Sequence, residues 1–181
     1  MKHITFVSGN NDKVDQLRRM FDGEIKQVKI DIREIQSLSA EEVATHKAQQ
    51  AYAQLQTPVV IDDTSLVIHK LVSLPGPLIK WFLETIGNQG MLDMLQNGDD
   101  RSATATVCIA YCDEHGVQLF KESTLGTIAT KERSGPLGVG WDPIFIPAGQ
   151  DLTWGEMNIE QQNETSIRRR ALQRLSEFLE Q

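Results

Sequence analysis

Covalent cross-links are not what holds this chain together. Its 181 residues include two cysteines, Cys108 and Cys112. Both lie in the apolar run Thr106-Val-Cys-Ile-Ala-Tyr-Cys112. On a strand, residues four apart share a face about 13 Å from each other, too far for a disulfide. They read as two small core side chains. Histidine is as sparse: His3, His46, His69 and His115 show no metal spacing and no partner cysteine, which excludes a zinc site. No stretch approaches the roughly 18 consecutive apolar residues of a membrane span. The opening Met-Lys-His-Ile-Thr-Phe-Val-Ser has a short apolar-leaning run and no cleavage pattern, so no signal peptide is expected. The sequence predicts a soluble, cytoplasmic protein. Positive charge is in deficit, with 18 Lys and Arg against 25 Asp and Glu and a net charge of −7. A general duplex-nucleic-acid or anionic-membrane binder carries the opposite sign. Any anionic ligand is therefore small, held by a local cluster or by a metal.

What is present suits an ordinary globular chain, 40% hydrophobic and 24% charged. A chain of this length buries roughly 70% of its unfolded surface without staples. Ile4 to Ser8 reads as a buried strand stopped by Gly9-Asn10, and Lys13 to Phe21 as a helix with Val14, Leu17, Met20 and Phe21 on one side. A second strand falls within Ile25 to Ile32. Ser39-Ala-Glu-Glu42 is a capping-box sequence opening a helix to about Leu55. Pro58 to Ile61 is a short strand running into Asp62-Asp63-Thr64. Leu74-Pro-Gly-Pro77 is a rigid turn before helices at Leu78 to Ile86 and Gly90 to Gln96. Thr104 to Tyr111 and Val117 to Thr130 read as antiparallel strands, and Glu160 to Glu180 as one closing amphipathic helix. The pattern is α/β with mixed strands in one compact unit spanning 1–181.

Three places carry chemistry. Ser8-Gly9-Asn10-Asn11-Asp12-Lys13 joins a strand to a helix N-terminus, where free N–H groups and the helix dipole favour a phosphate. Its spacing is not that of a Walker A loop. Asp62 and Asp63 form an acidic pair at the end of an apolar strand, with no basic residue within six positions. They repel each other unless a cation or a water network holds them. With Glu42 brought near, the three make an oxygen-rich site suited to Mg²⁺. Gly138-Val-Gly-Trp-Asp-Pro143 sets Trp141 in flexible backbone, either as a stacking platform for a base or as a core filler. Arg168-Arg169-Arg170 covers about 300° of a helix circumference, so one or two of them at most share a ligand. No Gly-x-Ser-x-Gly elbow or other nucleophile constellation is found.

Together these segments resemble the inosine triphosphate pyrophosphatase family. The matching pieces run in order from Ile4 to Leu172. They are Ser8-Gly-Asn-x-x-Lys13, Glu42 with Lys47, Asp62-Asp63-Thr64, Leu74-Pro-Gly-Pro-x-Ile-Lys80-Trp, Gly140-Trp-Asp-Pro143, and Ser166-x-Arg168 followed by Ala171-Leu172. The resemblance implies an elongated mixed β-sheet with helical lobes flanking a central nucleotide-binding cleft, usually in a homodimer. It implies hydrolysis of nucleoside triphosphates such as ITP, dITP and XTP to the monophosphate and pyrophosphate, with Mg²⁺. Carried onto this chain, the resemblance implies that Ser8, Gly9, Asn10, Asn11, Asp12 and Lys13 with Lys47 would hold the triphosphate. Glu42, Asp63 and Asp62 would serve the metal, and Asp63 would also activate the water. Thr64 and Lys80 would approach the nucleotide, while Val139, Gly140, Trp141, Asp142, Ile167 and Arg168 would lie around the base.

The departures from the family pattern fall mostly at the base. Gln16 stands for an acidic residue, Val139 for a phenylalanine, Gln162 for a lysine and Ile167 for a histidine. Losing a stacking ring and a hydrogen-bonding imidazole each weakens base recognition by about 1–3 kcal/mol. The catalytic half is expected intact, with altered base preference. Two rivals are a non-catalytic nucleotide-binding regulator and a same-fold pyrophosphatase acting on other modified nucleotides.

Overall fold

The computed structural model describes residues 3–135 and 137–181. In chain order it has β1 (His3–Val7), α1 (Asn11–Met20), β2 (Glu24–Val28), α2 (Ala40–Leu55), β3 (Val59–Ile68) and β4 (Pro75–Gly76). There follow α3 (Ile79–Thr85), α4 (Gly87–Asp93), β5 (Ser102–Asp113), β6 (Gly116–Ile128), β7 (Phe145–Pro147), α5 (Ile159–Thr165) and α6 (Ile167–Phe178). The strands form one mixed sheet in the order β2-β1-β3-β5-β6-β7, with β4 on β3. β1 runs parallel to β2 and to β3, through the crossover helices α1 and α2. β4 pairs antiparallel with β3, and β7 with β6. The mixed α/β class expected from the sequence is the class observed.

The chain folds as two units, each with its own internal packing. One comprises the chain up to Asp63, Val107–Glu122 and Ile167–Gln181; the other comprises Thr64–Thr106 and Ser123–Ser166. In the first, the small residues Ala44, Ala48 and Ala51 of α2 pack on Val59 and Ile61 of β3 and on Cys108, Ala110 and Cys112 of β5. Small side chains on both surfaces bring helix and sheet close, and odd-numbered positions of β3 therefore face α2. Cys108 and Cys112 are free and buried, as their apolar setting predicts. Burial pushes the Cys108 thiol up to about 12, so it is a filler and not a nucleophile.

Two expectations need correcting. β3 does not stop before the acidic pair: it is ten residues long and carries Asp62 and Asp63 in its middle. The closing helix is two helices, broken at Ser166, whose ψ of 112° is extended. Asn158 starts the first of these with a capping box closed by Gln161. Among the described residues no helix is long and apolar enough to cross a membrane.

Candidate active site

Asp62 and Asp63 are only 4% and 6% exposed. Burying two carboxylates is costly unless each is paired. The cations come from helices distant in sequence. Arg168 of α6 places Nε 2.6 Å from Asp62 Oδ2 and Nη2 3.5 Å from Oδ1. Lys13 of α1 reaches Asp62 Oδ1 at 3.1 Å and the Asp62 carbonyl oxygen at 2.9 Å. Burial opposes ionisation of Asp62, but Arg168 and Lys13 outweigh it and hold the carboxyl well below the usual range. Asp63 instead takes Lys47 of α2, whose Nζ lies 3.1 Å from Oδ2 and 3.2 Å from Glu34 Oε2. Burial works against the Lys47 charge, yet Asp63 and Glu34 together raise its pKa above the ordinary lysine value. Alternation along β3 explains the division, since neighbouring side chains leave opposite faces.

The register places the pair, although mid-strand on β3, beside the end of β1. Phe6 of β1 is opposite Val60 of β3. Two residues on, Asp62 is level with Ser8, beyond the carboxyl end of β1. The Asp62 carbonyl accepts from Lys13 where β1 has stopped. Ligands of open α/β sheets bind outside such carboxyl ends.

The Ser8–Lys13 loop is braced from within. Ser8 N–H donates to Val28 O at 3.1 Å, Asn10 N–H to Ser8 Oγ at 3.1 Å, and Lys13 N–H to Asn10 Oδ1 at 3.2 Å. Gln27 Nε2 donates to Ser8 O and to Asn11 Oδ1. Asn10 is thus the N-cap of α1, and the N–H groups of Asn11 and Asp12 lie outside the helix's own ladder. A Cβ on Gly9 would meet nothing within 4 Å, and its φ is not left-handed. Packing within the chain therefore does not require glycine there.

Glu42 is anchored at the start of α2 by its cap. Ser39 Oγ accepts from Glu42 N–H at 3.2 Å, as the capping sequence predicts. The carboxylate does not return to Ser39 N–H. Ser37 intervenes, accepting from Ser39 N–H at 3.0 Å and donating Oγ–H to Glu42 Oε2 at 2.6 Å. Among the described residues no three His, Cys, Asp or Glu are gathered as a metal-holding group. The three-carboxylate cluster expected from the sequence is therefore not assembled, because Asp62 is turned to Lys13 and Arg168. Glu42 and Asp63 still offer only hard oxygen donors, which suit Mg²⁺.

The remaining site candidates belong mainly to the second unit. Val139–Asp142 is a tight turn in which Val139 N–H donates to Asp142 Oδ2 at 3.2 Å and Asp142 N–H to Val139 O at 3.0 Å. Gly140 occupies φ +57°, and its carbonyl accepts from Asn88 Nδ2 at 2.9 Å. Trp141 is 9% exposed, packed edge-on to Phe145 and against Trp154, both at 5.6 Å between centroids. Its placement matches the core-filling alternative. Lys80 is exposed, 3.9 Å from Glu84, and Thr64 follows the acidic pair on β3. Gln162 donates to Trp154 O at 2.8 Å. In the first unit, Ile167 is buried and opens the α6 stripe with Ala171, Leu172 and Leu175. The arginine triplet fans out as its spacing predicts: Arg168 to Asp62, Arg170 to Glu122.

Sequence reasoning missed Glu34 and Ser37, which hold Lys47 and Glu42. Both lie in a segment without periodicity, so nothing marked them. The Arg168 guanidinium, which the resemblance assigns to the base, is engaged with Asp62 and, through Nη1, with Gln16 Oε1.

Fold and site together define an α/β protein whose central strand carries a cation-clamped acidic pair. The sequence matches the Ham1 family over residues 4–178, and the chain belongs to that family. It is 40% identical to an inosine triphosphate pyrophosphatase of Scheffersomyces stipitis, covering 99% of this chain and 98% of that one. It is 35% identical to a dITP/XTP pyrophosphatase of Methanopyrus kandleri over 97% and 95%. The Ham1 proteins of Coxiella burnetii and Staphylococcus aureus have TM-scores of 0.84 and 0.83, with 29% and 27% identity, each covering 99% of this chain and 98% of its own.

Proposed function

We propose that this chain hydrolyses nucleoside triphosphates to the monophosphate and pyrophosphate, with Mg²⁺ and with relaxed discrimination between bases. The observation that carries the reading is the buried Asp62–Asp63 pair, clamped by Lys13, Arg168 and Lys47 level with the Ser8–Lys13 loop. The names of the relatives, inosine triphosphate and dITP/XTP pyrophosphatases, support the same reaction.

The loop offers the phosphates the start of α1, a glycine that no neighbour demands, and the Lys13 ammonium. Lys47, kept charged between Asp63 and Glu34, offers a second ammonium. Glu42 and Asp63 are the residues that would hold Mg²⁺, while Asp62 stays with its cations. When bound, the ion neutralises charge on the phosphates and polarises them. Asp63 orients a water toward the α-phosphorus and accepts its proton. The new P–O bond forms as the bond to the bridging oxygen breaks, and pyrophosphate leaves with the electron pair. At the base, Ile167 offers no hydrogen bond, and Arg168 is shared with Asp62 and Gln16. An apolar pocket rejects related bases poorly.

The test is Asp63→Asn. Pyrophosphate release should fall by roughly 10²–10⁴-fold, the scale of a lost general base, with the thermal midpoint little changed because Lys47 keeps Glu34. Retained turnover would remove Asp63 from the reaction.

A further inference from the structure

The second unit carries cations of its own that the acidic pair does not use. A cavity of about 440 Å³ is lined there by Arg101, Thr127, Thr130, Lys131, Arg133 and Asp151, with apolar lining from β6 and β7. Arg101 is fixed on one side of it. Its carbonyl accepts from Ile128 N–H at 2.8 Å, and its Nε donates to Ile128 O at 2.8 Å. Nη2 and Nη1 donate to Ala129 O and Leu95 O. Three of the five guanidinium N–H donors are thus spent on neutral carbonyls, which orient the group without neutralising it. Asp99 is taken by Lys70 at 3.0 Å and by Gln96 N–H at 2.9 Å. Among the described residues no carboxylate lies within ion-pair distance of part-buried Arg101 or of exposed Lys131. Arg133 is paired already, 3.3 Å from Glu156 Oε2, and its two Nη groups donate to Asp151 O at 3.2 and 3.3 Å.

A part-buried guanidinium without a counter-charge favours an anion beside it. A carboxylate pairs best with an undivided guanidinium fork, and the Arg101 fork is divided among three carbonyls. A phosphate accepts from several directions at once, which suits scattered donors from Arg101, Lys131 and the two threonine hydroxyls. The volume is in the range of small-molecule sites and leaves room beside an ion, where apolar lining meets an organic group. We propose that this cavity is an anion site for a small phosphate ester, with Arg101 and Lys131 holding the phosphate and the Asp151 carboxylate opposing it. The site shares no residue with the Ser8–Lys13 loop or the acidic pair, so it stands or falls apart from the proposed hydrolysis.

The test is amide chemical-shift mapping of the full ¹⁵N-labelled chain with EDTA at constant ionic strength, titrated with ribose 5-phosphate, inorganic phosphate or ribose. Ribose 5-phosphate should give saturable shifts at the amides of residues 127–133. Inorganic phosphate should move the same amides with weaker affinity, and ribose should move none. Lys131→Met should weaken ester binding about fivefold, the scale of one charge-assisted hydrogen bond near a surface, and leave the urea midpoint unchanged. Asp151→Asn should tighten it by removing a like charge. No saturable shift at residues 127–133, an equal response to ribose, or an affinity that Lys131→Met leaves unchanged overturns the proposal. Inorganic phosphate bound as tightly as the ester overturns the assignment of an ester. Shifts confined to residues 8–13 support the loop of the proposed hydrolase as a phosphate holder and overturn this site alone.

Discussion

Asp62 is a fully buried carboxylate whose charge survives because two cations from remote helices meet it. Removing that charge leaves Lys13 and Arg168 together without their shared partner. Asp62→Asn should therefore cost roughly 3–5 kcal/mol of stability, the scale of breaking one side of a buried pair, read from urea unfolding. The pH dependence has a definite sign. The folded pKa lies below the unfolded value of 3.8, so the contribution is fully present above that value and is lost as pH falls through the folded one. Thermal midpoints of wild type and Asp62→Asn should stay apart down to the ordinary Asp range and converge only in stronger acid. The need for a cation was legible in the sequence, since two adjacent aspartates had no basic neighbour. Which cations answer it was not, because Lys13, Lys47 and Arg168 are brought there by folding.

At the scale of elements, local signals served best where the partner is also local. Ser39 caps α2 as its sequence indicates, and Ser39→Ala should cost about 1 kcal/mol, lowering the thermal midpoint by about 2–4 °C for a chain of this size. An unchanged midpoint would mean that Ser37 alone secures the turn. Signals failed where tertiary contacts overrule propensity. Aspartate is a poor strand former, yet β3 runs through two of them because the three cations satisfy their charge there. The break at Ser166 lies beside Thr165, whose hydroxyl accepts from Trp154 Nε1 at 2.9 Å. Nothing in the helical stripe of the sequence announces that indole.

For the molecule as a whole, a net charge of −7 excludes broad attraction of polyanions and leaves phosphate recognition to a few placed cations. Collinear motifs from Ile4 to Leu172 pointed to a family, and the match to the Ham1 family over residues 4–178 bears this out. The base end was less legible. Trp141 is packed with Phe145 and Trp154, and Arg168 is shared with Asp62 and Gln16, interactions that no motif spacing records. The most direct test of the proposed chemistry is pyrophosphate release from a panel of ribo- and deoxyribonucleoside triphosphates, with Mg²⁺ and with EDTA. The panel should hold inosine, xanthosine, the four standard bases and a modified pyrimidine. The expected result is release from inosine and xanthosine triphosphates that EDTA abolishes, with measurable release from adenosine or guanosine triphosphate as well. Release of orthophosphate in place of pyrophosphate, or no release from any member of the panel, would contradict it.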